Sequence, residues 1–143
     1  MNLNELQFSR RQGLDVPIAN QFYKRVDKRL KARADDVVWT AQHQGQTVAA
    51  LRLRPLPTGD HLLTGVLVDP EFRTRGIAKR LLAEASIDFS RRYLYLFCEP
   101  QLAPLYNTAG FVQVQKIDMP DHLVGRWQAY QRKTPELIAM CYL

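Results

Sequence analysis

The chain has 143 residues, 46% of them hydrophobic and 24% charged, with a formal net charge of +6. That is the make-up of one globular domain, residues 1–143, with a real core. No apolar run approaches the ~20 residues of a membrane helix, and the opening MNLNELQFSRRQ holds no apolar signal core, so a cytoplasmic protein is expected. The charge permits an anionic partner without identifying one.

Residues 17–33 read as a helix. Pro17 suits its first turn, and Ile18, Phe22, Val26 and Leu30 recur every four residues. The cations of KRVDKRLKAR, Lys24 to Arg33, then read as a solvated outer face. Val37 to Gln42 and Thr47 to Leu53 read as strands joined by a hairpin loop, His43 to Gln46. Pro55, Pro57 and Gly59 break the pattern before Leu62 to Val68, an almost wholly apolar strand expected to be buried on both faces.

A helix follows, with Ala78, Leu81, Leu82, Ala85 and Phe89 at helical spacing, then a strand from Tyr93 to Cys98. Strand, helix and strand make a βαβ-like unit, which implies a parallel neighbour. A short helix from Leu102 to Ala109 carries Gly110 as its cap, and Phe111 to Gln115 reads as a strand. Residues 116–133 are ambiguous, with Asp121 able to cap a helix through Gln131. Glu136 to Tyr142 reads as a last strand. Together these make a mixed α/β sheet.

The junction at Leu62 to Ala78, LLTGVLVDPEFRTRGIA, is the chemically loaded stretch. A strand ends at Asp69-Pro70, and a helix opens after cations and a glycine. A helix start leaves about four N–H groups without intrahelical partners and carries the positive end of the macrodipole. A glycine there lets backbone approach a ligand closely, which makes a diphosphate cradle. It is not a Walker A loop, since no G-K-[ST] follows, nor a Rossmann fingerprint, which needs three glycines.

Arg73-Thr74-Arg75-Gly76-Ile77-Ala78 fits [QR]-x-x-G-x-[GA] after a strand, and Leu105, Tyr106, Gly110 and Phe111 fit L-Y-x-x-x-G-F downstream. With these two linked motifs, residues 62–115 resemble the GNAT superfamily of acyl-CoA-dependent N-acyltransferases. The resemblance implies a mixed, mostly antiparallel sheet with one central parallel pair splayed to admit coenzyme A. It implies acetyl-CoA as cosubstrate and a primary amine, small-molecule or peptide, as acceptor. Backbone N–H groups from Thr74 to Lys79 would hold the pyrophosphate, Val66, Leu67 and Val68 would pair with the pantetheine amides, and Arg73, Arg75, Lys79 and Arg80 offer cations. A bulge near Leu67 or Val68 would supply the oxyanion donor. Tyr106 would protonate the leaving thiolate, whose reference pKa is near ~8.5; a packed core tyrosine is the other reading.

One departure matters. Many relatives carry a Glu on the strand before the cradle, and Leu62 to Val68 has no acid. Glu99 is the best remaining carboxylate for a base, ahead of Glu71, Asp60 and His61; water is the alternative. Cys98 at a strand end reads as a buried free thiol rather than a nucleophile, and Cys98 and Cys141 together fit a reducing compartment. His43, His61 and His122 are scattered, so no metal is expected. Trp39 and Trp127 read as core or acceptor-site walls.

The rival functions are a GNAT-fold acyl-CoA sensor or partner-binding module, a nucleic-acid binder using KRVDKRLKAR, and an enzyme acting on a charged tRNA amine. The missing reader motif disfavours nucleic acid. A homodimer is compatible with such folds.

Overall fold

The computed structural model describes all 143 residues. The alternation at residues 37–53 folds as a tight hairpin. β2 (Val37–His43) and β3 (Gln46–Pro55) pair antiparallel with His43 opposite Gln46. Gln44 and Gly45 between them both have positive φ, 51° and 80°, the primed-turn geometry whose twist matches the flanking strands. β4 (His61–Val68) adds antiparallel to β3, and β1 (Leu6–Arg11) adds antiparallel to β2. The order β1-β2-β3-β4 forms the sheet of a first compact unit, Met1–Asp88. The strand β1 is absent from the sequence reading. Its period-two signal is short, with Leu6 and Phe8 separated by polar Gln7 and followed by Ser9.

α1 is shorter than the periodicity implies. It runs Val16–Val26, not 17–33. Asp27 leaves helical geometry at φ −151°, ψ 99°. Its carboxylate takes the backbone N–H of Arg29 at 3.1 Å, the competition that makes Asp a poor interior helix residue. Further along, the Asn20 amide donates to the Ala32 carbonyl at 3.0 Å and accepts from its N–H at 2.8 Å. These bonds turn the chain back alongside α1. Leu30 therefore reaches the core its spacing promised, but from a loop. It packs with Val26 and Leu67 against Val16, Ala19, Phe22, Tyr23, Ala32, Val38 and Ala50.

α2 (Ile77–Ala85) buries Ile77, Leu81, Leu82 and Ala85. It ends four residues before Phe89, in a 3-10 turn at Ser86–Asp88. Asp88 accepts from the Trp39 indole and from Arg10, each at 2.8 Å. Trp39 and Val38 are successive strand residues, so they point to opposite faces; Val38 meets α1 while Trp39 reaches the turn after α2.

The second unit, Phe89–Leu143, holds β5 (Leu94–Cys98), α3 (Ala103–Thr108), β6 (Phe111–Val114), α4 (Asp121–Gln131) and β7 (Ile138–Tyr142). β7 lies between β5 and β6, antiparallel to both. Gly110, at φ 101°, closes α3 through its N–H on Asn107. Phe89, Tyr106 and Tyr142 gather round Phe111 or one another at 5.3–6.2 Å. Trp127 of α4 stacks on Phe97 at 6.3 Å, nearly parallel, and donates to the Leu137 carbonyl at 2.9 Å. It is therefore a core residue here. Pro120, not Asp121, occupies the cap position of α4. No helix is long and apolar enough to cross a membrane.

Candidate functional site

The irregular point of β4 is Gly65. Ala50 pairs with Leu67 and Arg52 with Thr64, so Gly65 and Val66 together face Leu51. That is a β-bulge at 65–66, two residues earlier than the expected 67–68. Gly65 has φ +64°, the left-handed conformation that a bulge of this kind assigns to glycine. A Cβ built there would lie 2.7 Å from Arg52 Nε and 2.9 Å from its Cζ. The isolated glycine in an apolar strand was the sequence signal for this bulge. Val66, Leu67 and Val68 beyond it are half-buried.

Behind the bulge stand two residues that the sequence reading passed over. The Tyr23 hydroxyl donates to the Gly65 carbonyl at 2.7 Å. Burial pushes the Tyr23 hydroxyl well above its ordinary value, against the lowering effect of Arg52, so it stays a neutral donor. The Arg52 guanidinium lies 5.3 Å from the Tyr23 ring centroid and donates to the Lys31 carbonyl at 2.5 Å. Neighbouring Arg54 pairs with the fully buried Asp36 at 2.9 Å.

Asp69, the residue after β4, is 6% exposed. Its carboxylate accepts the Glu71 N–H at 3.0 Å and Arg25 Nη1 at 2.8 Å. The Arg25 bond holds the Asp69 carboxyl below the usual carboxylate range. Arg25 also donates to the Thr47 carbonyl at 2.9 Å. So one cation of the Lys24–Arg33 run, though its side chain stays 43% exposed, ties α1 to the end of β4. The carboxylate capping the turn is Asp69; Glu71 contributes its backbone.

From there the chain makes a 3-10 turn, Pro70–Phe72. Thr74 follows at φ +64°, and Gly76 caps α2 at φ +79° with no side-chain cap. The nearest atom to a Cβ at Gly76 is Leu3 Cδ1 at 3.9 Å. What demands glycine there is the backbone conformation. The Arg80 N–H closes the first helical bond on the Gly76 carbonyl at 3.1 Å. The N–H groups of Ile77, Ala78 and Lys79 precede it, in the turn that has no intrahelical acceptors. This is a nine-residue helix whose positive end opens on an exposed, glycine-capped loop.

The cations divide by role. Arg73 Nε donates to the Val68 carbonyl and Arg75 Nη2 to the Glu71 carbonyl, each at 3.2 Å, and Arg75 lies over the Phe72 ring at 5.3 Å. Both brace the loop from outside. Arg80 lies over Phe8 and 4.0 Å from Glu84, a packing role. Lys79 is exposed beside the helix start.

In the second unit, Tyr106 of α3 is 7% exposed and meets Phe111 edge-on. Burial pushes its hydroxyl well up, and Cys98 adds to the effect. The Cys98 thiol lies 3.8 Å from Met140 Sδ and is pushed up to about 11 by burial and by Glu99. A thiol so raised is protonated near neutral pH and is no nucleophile. Both cysteines are free and buried. Glu99 is exposed, just past β5, and accepts from Gln101 at 2.5 Å.

Residues 34–113 match the family profile described as Acetyltransferase (GNAT) domain. No match was found among curated protein sequences. Solved structures are similar across nearly the whole chain. An acyl-CoA N-acyltransferase from Pseudomonas aeruginosa is 19% identical with a TM-score of 0.66, covering 96% of this chain and 99% of its own. The ribosomal-protein-S18-alanine N-acetyltransferase from Escherichia coli is 15% identical at 0.59, with 95% and 92% covered. N-acetylglutamate synthase from Neisseria gonorrhoeae, complexed with coenzyme A and N-acetyl-glutamate, is 18% identical at 0.61, covering 96% of this chain. This chain spans about a third, 35%, of that enzyme's length. At these identities the likeness carries the fold, a mixed, mostly antiparallel α/β architecture of GNAT type. With more than half of its residues inside the matched profile, the chain belongs to the GNAT acetyltransferase family.

Proposed function

We propose that this chain is an acetyl-CoA-dependent N-acetyltransferase, with residues 1–143 acting as one domain on a primary amine by direct transfer in a ternary complex. The observation that carries the reading is the glycine-capped start of α2. Thr74 and Gly76 hold left-handed backbone, and the first-turn N–H groups of α2 open on an exposed loop braced by Arg73 and Arg75. Such a surface suits a diphosphate.

In this reading the N–H groups from Thr74 to Lys79 take the pyrophosphate of coenzyme A. Val66 to Val68 pair with the pantetheine amides in the manner of an added strand. The amine lone pair attacks the thioester carbonyl, and the developing oxyanion is met by a backbone N–H at the Gly65–Val66 bulge. The C–S bond then breaks, and the departing thiolate takes a proton from Tyr106. The proton lost by the amine passes to water or to Glu99, the carboxylate after β5. The relatives' printed acceptors, an amino acid and a ribosomal-protein alanine, make a small-molecule or protein amine the natural class to screen. Two free cysteines suit a reducing, cytoplasmic setting.

Calorimetric titration of acetyl-CoA and desulfo-CoA into wild type and Gly76→Glu tests the reading. The new side chain meets unfavourable backbone geometry and sets a carboxylate against the pyrophosphate. Saturable wild-type binding, weakened at least about 100-fold in the variant (about 2.7 kcal/mol), is the expected result. No wild-type binding overturns it. The sensor alternative, favoured by the absence of an acid in Leu62 to Val68, predicts the same binding with no acetyl transfer to any amine of the screen.

A further inference from the structure

The β4 bulge is not left to the strand itself to maintain. Three other segments of the first unit converge on it. From α1, the Tyr23 hydroxyl donates to the Gly65 carbonyl at 2.7 Å. From β3, Arg52 fills the space where any other residue at 65 would carry a Cβ, and its Nη2 lies 3.5 Å from Thr64 Oγ1, the residue just before the bulge. From the loop after α1, the Lys31 carbonyl receives Arg52 Nη1. That loop is itself tied down, by the Arg54–Asp36 pair and by the Asp36 carboxylate accepting the Arg33 N–H at 2.7 Å. The guanidinium also lies against the Tyr23 ring. Tyr23 is fully buried and Arg52 is 5% exposed.

These contacts fix both the rotation of the Gly65 peptide and the depth of its Cα. A bulge takes its extra residue out of the ladder, so the direction of its N–H is free to be set by something else. An oxyanion donor acts only if it is aimed before the charge develops. Resting on the acetyltransferase reading, we infer that Tyr23 and Arg52 are positioning residues for this reaction: they hold the Gly65–Val66 bulge so that its N–H polarises the thioester carbonyl. Neither residue needs to touch the acyl group. Arg52 also places a fixed positive charge beneath the peptide that donates, which adds to the pull on the carbonyl oxygen.

The carbonyl stretch of bound acetyl-CoA reads this directly and requires no knowledge of the acceptor. The experiment is infrared difference spectroscopy of acetyl-CoA against its carbonyl-13C form, bound to wild type, Tyr23→Phe and Arg52→Lys, with dissociation constants measured alongside. In wild type the band moves to lower frequency than in water. In Tyr23→Phe that displacement is lost or broadened, while affinity, set mainly by the pyrophosphate cradle, stays within about threefold. Arg52→Lys keeps the charge and cannot fill the space under Gly65, so it gives an intermediate displacement. A purely structural role lowers the melting temperature and leaves the band alone. A variant band at the wild-type position overturns the inference. So does a wild-type band at the solution frequency, which leaves coenzyme A binding intact. Absence of binding to wild type overturns the acetyltransferase reading and takes this inference with it.

Discussion

Tyr23 and Tyr106 are both buried tyrosines whose hydroxyls are pushed up by burial, yet they are held in different ways. Tyr23 is tied through its oxygen, which donates to the Gly65 carbonyl at 2.7 Å. Tyr106 is held through its ring, edge-on to Phe111 with centroids 6.2 Å apart. A hydroxyl committed to a backbone carbonyl shapes the chain around it. A ring fixed by aromatic packing can present its hydroxyl to something else. The same residue type is thus fixed through its oxygen in one unit, where a positioning role is inferred, and through its ring in the other, where a proton-donor role is proposed.

Three measurements would break or sharpen that contrast. The largest expected effect is Tyr106→Phe, which keeps the ring contact and removes the proton. kcat should fall about 100-fold (about 2.7 kcal/mol) with the acetyl-CoA affinity unchanged. A full-rate variant returns Tyr106 to the status of a packed core residue. Next comes the stability cost of Tyr23→Phe, which leaves the Gly65 carbonyl without its 2.7 Å donor. Urea unfolding should show a loss of about 1 kcal/mol, where Tyr106→Phe loses clearly less.

The smallest effect is in alkali. A tyrosine whose folded pKa is raised contributes stability that is fully present below its unfolded value of ~10 and is lost as pH rises toward the folded one. Wild-type stability should therefore decline above about pH 10, and each Phe variant should flatten the decline. Equal slopes for all three proteins would show that neither hydroxyl is held neutral by the fold.

Local patterns in the sequence carried the strand–turn–helix junction at residues 62–85 well. Asp69-Pro70, Gly76 and the helical period after it specify a strand end, a turn and a helix start within a dozen residues, and the structure has each of them. The hairpin at Gln44–Gly45 was equally local. What escaped the sequence depends on distant partners. The periodicity through Leu30 looked helical because Leu30 does reach the core, and nothing in the sequence disclosed that Asp27 and Asn20 would redirect the backbone first. Arg52 and Arg54 alternate with Leu51 and Leu53, a pattern that by itself fits a strand with one solvated side. In the structure that side lies under α1 and the loop after it, so Arg52 is buried and Arg54 largely covered. Gly65 is an isolated glycine in an apolar run, but the hydroxyl gripping its carbonyl lies 42 positions earlier in the chain.

The Asn20 amide bonded to the backbone of Ala32 has a consequence for how this part of the protein breathes. It binds one residue's donor and acceptor together, as a neighbouring strand would, but from a single side chain. A segment closed by such a latch opens cooperatively or not at all. Between latch and helix lie Lys28, Arg29 and Lys31, so these cations ride on a closed loop anchored at its far end rather than on a tail. Their side chains are exposed, but the backbone beneath them is closed, so whatever meets them has side chains to order and no loop.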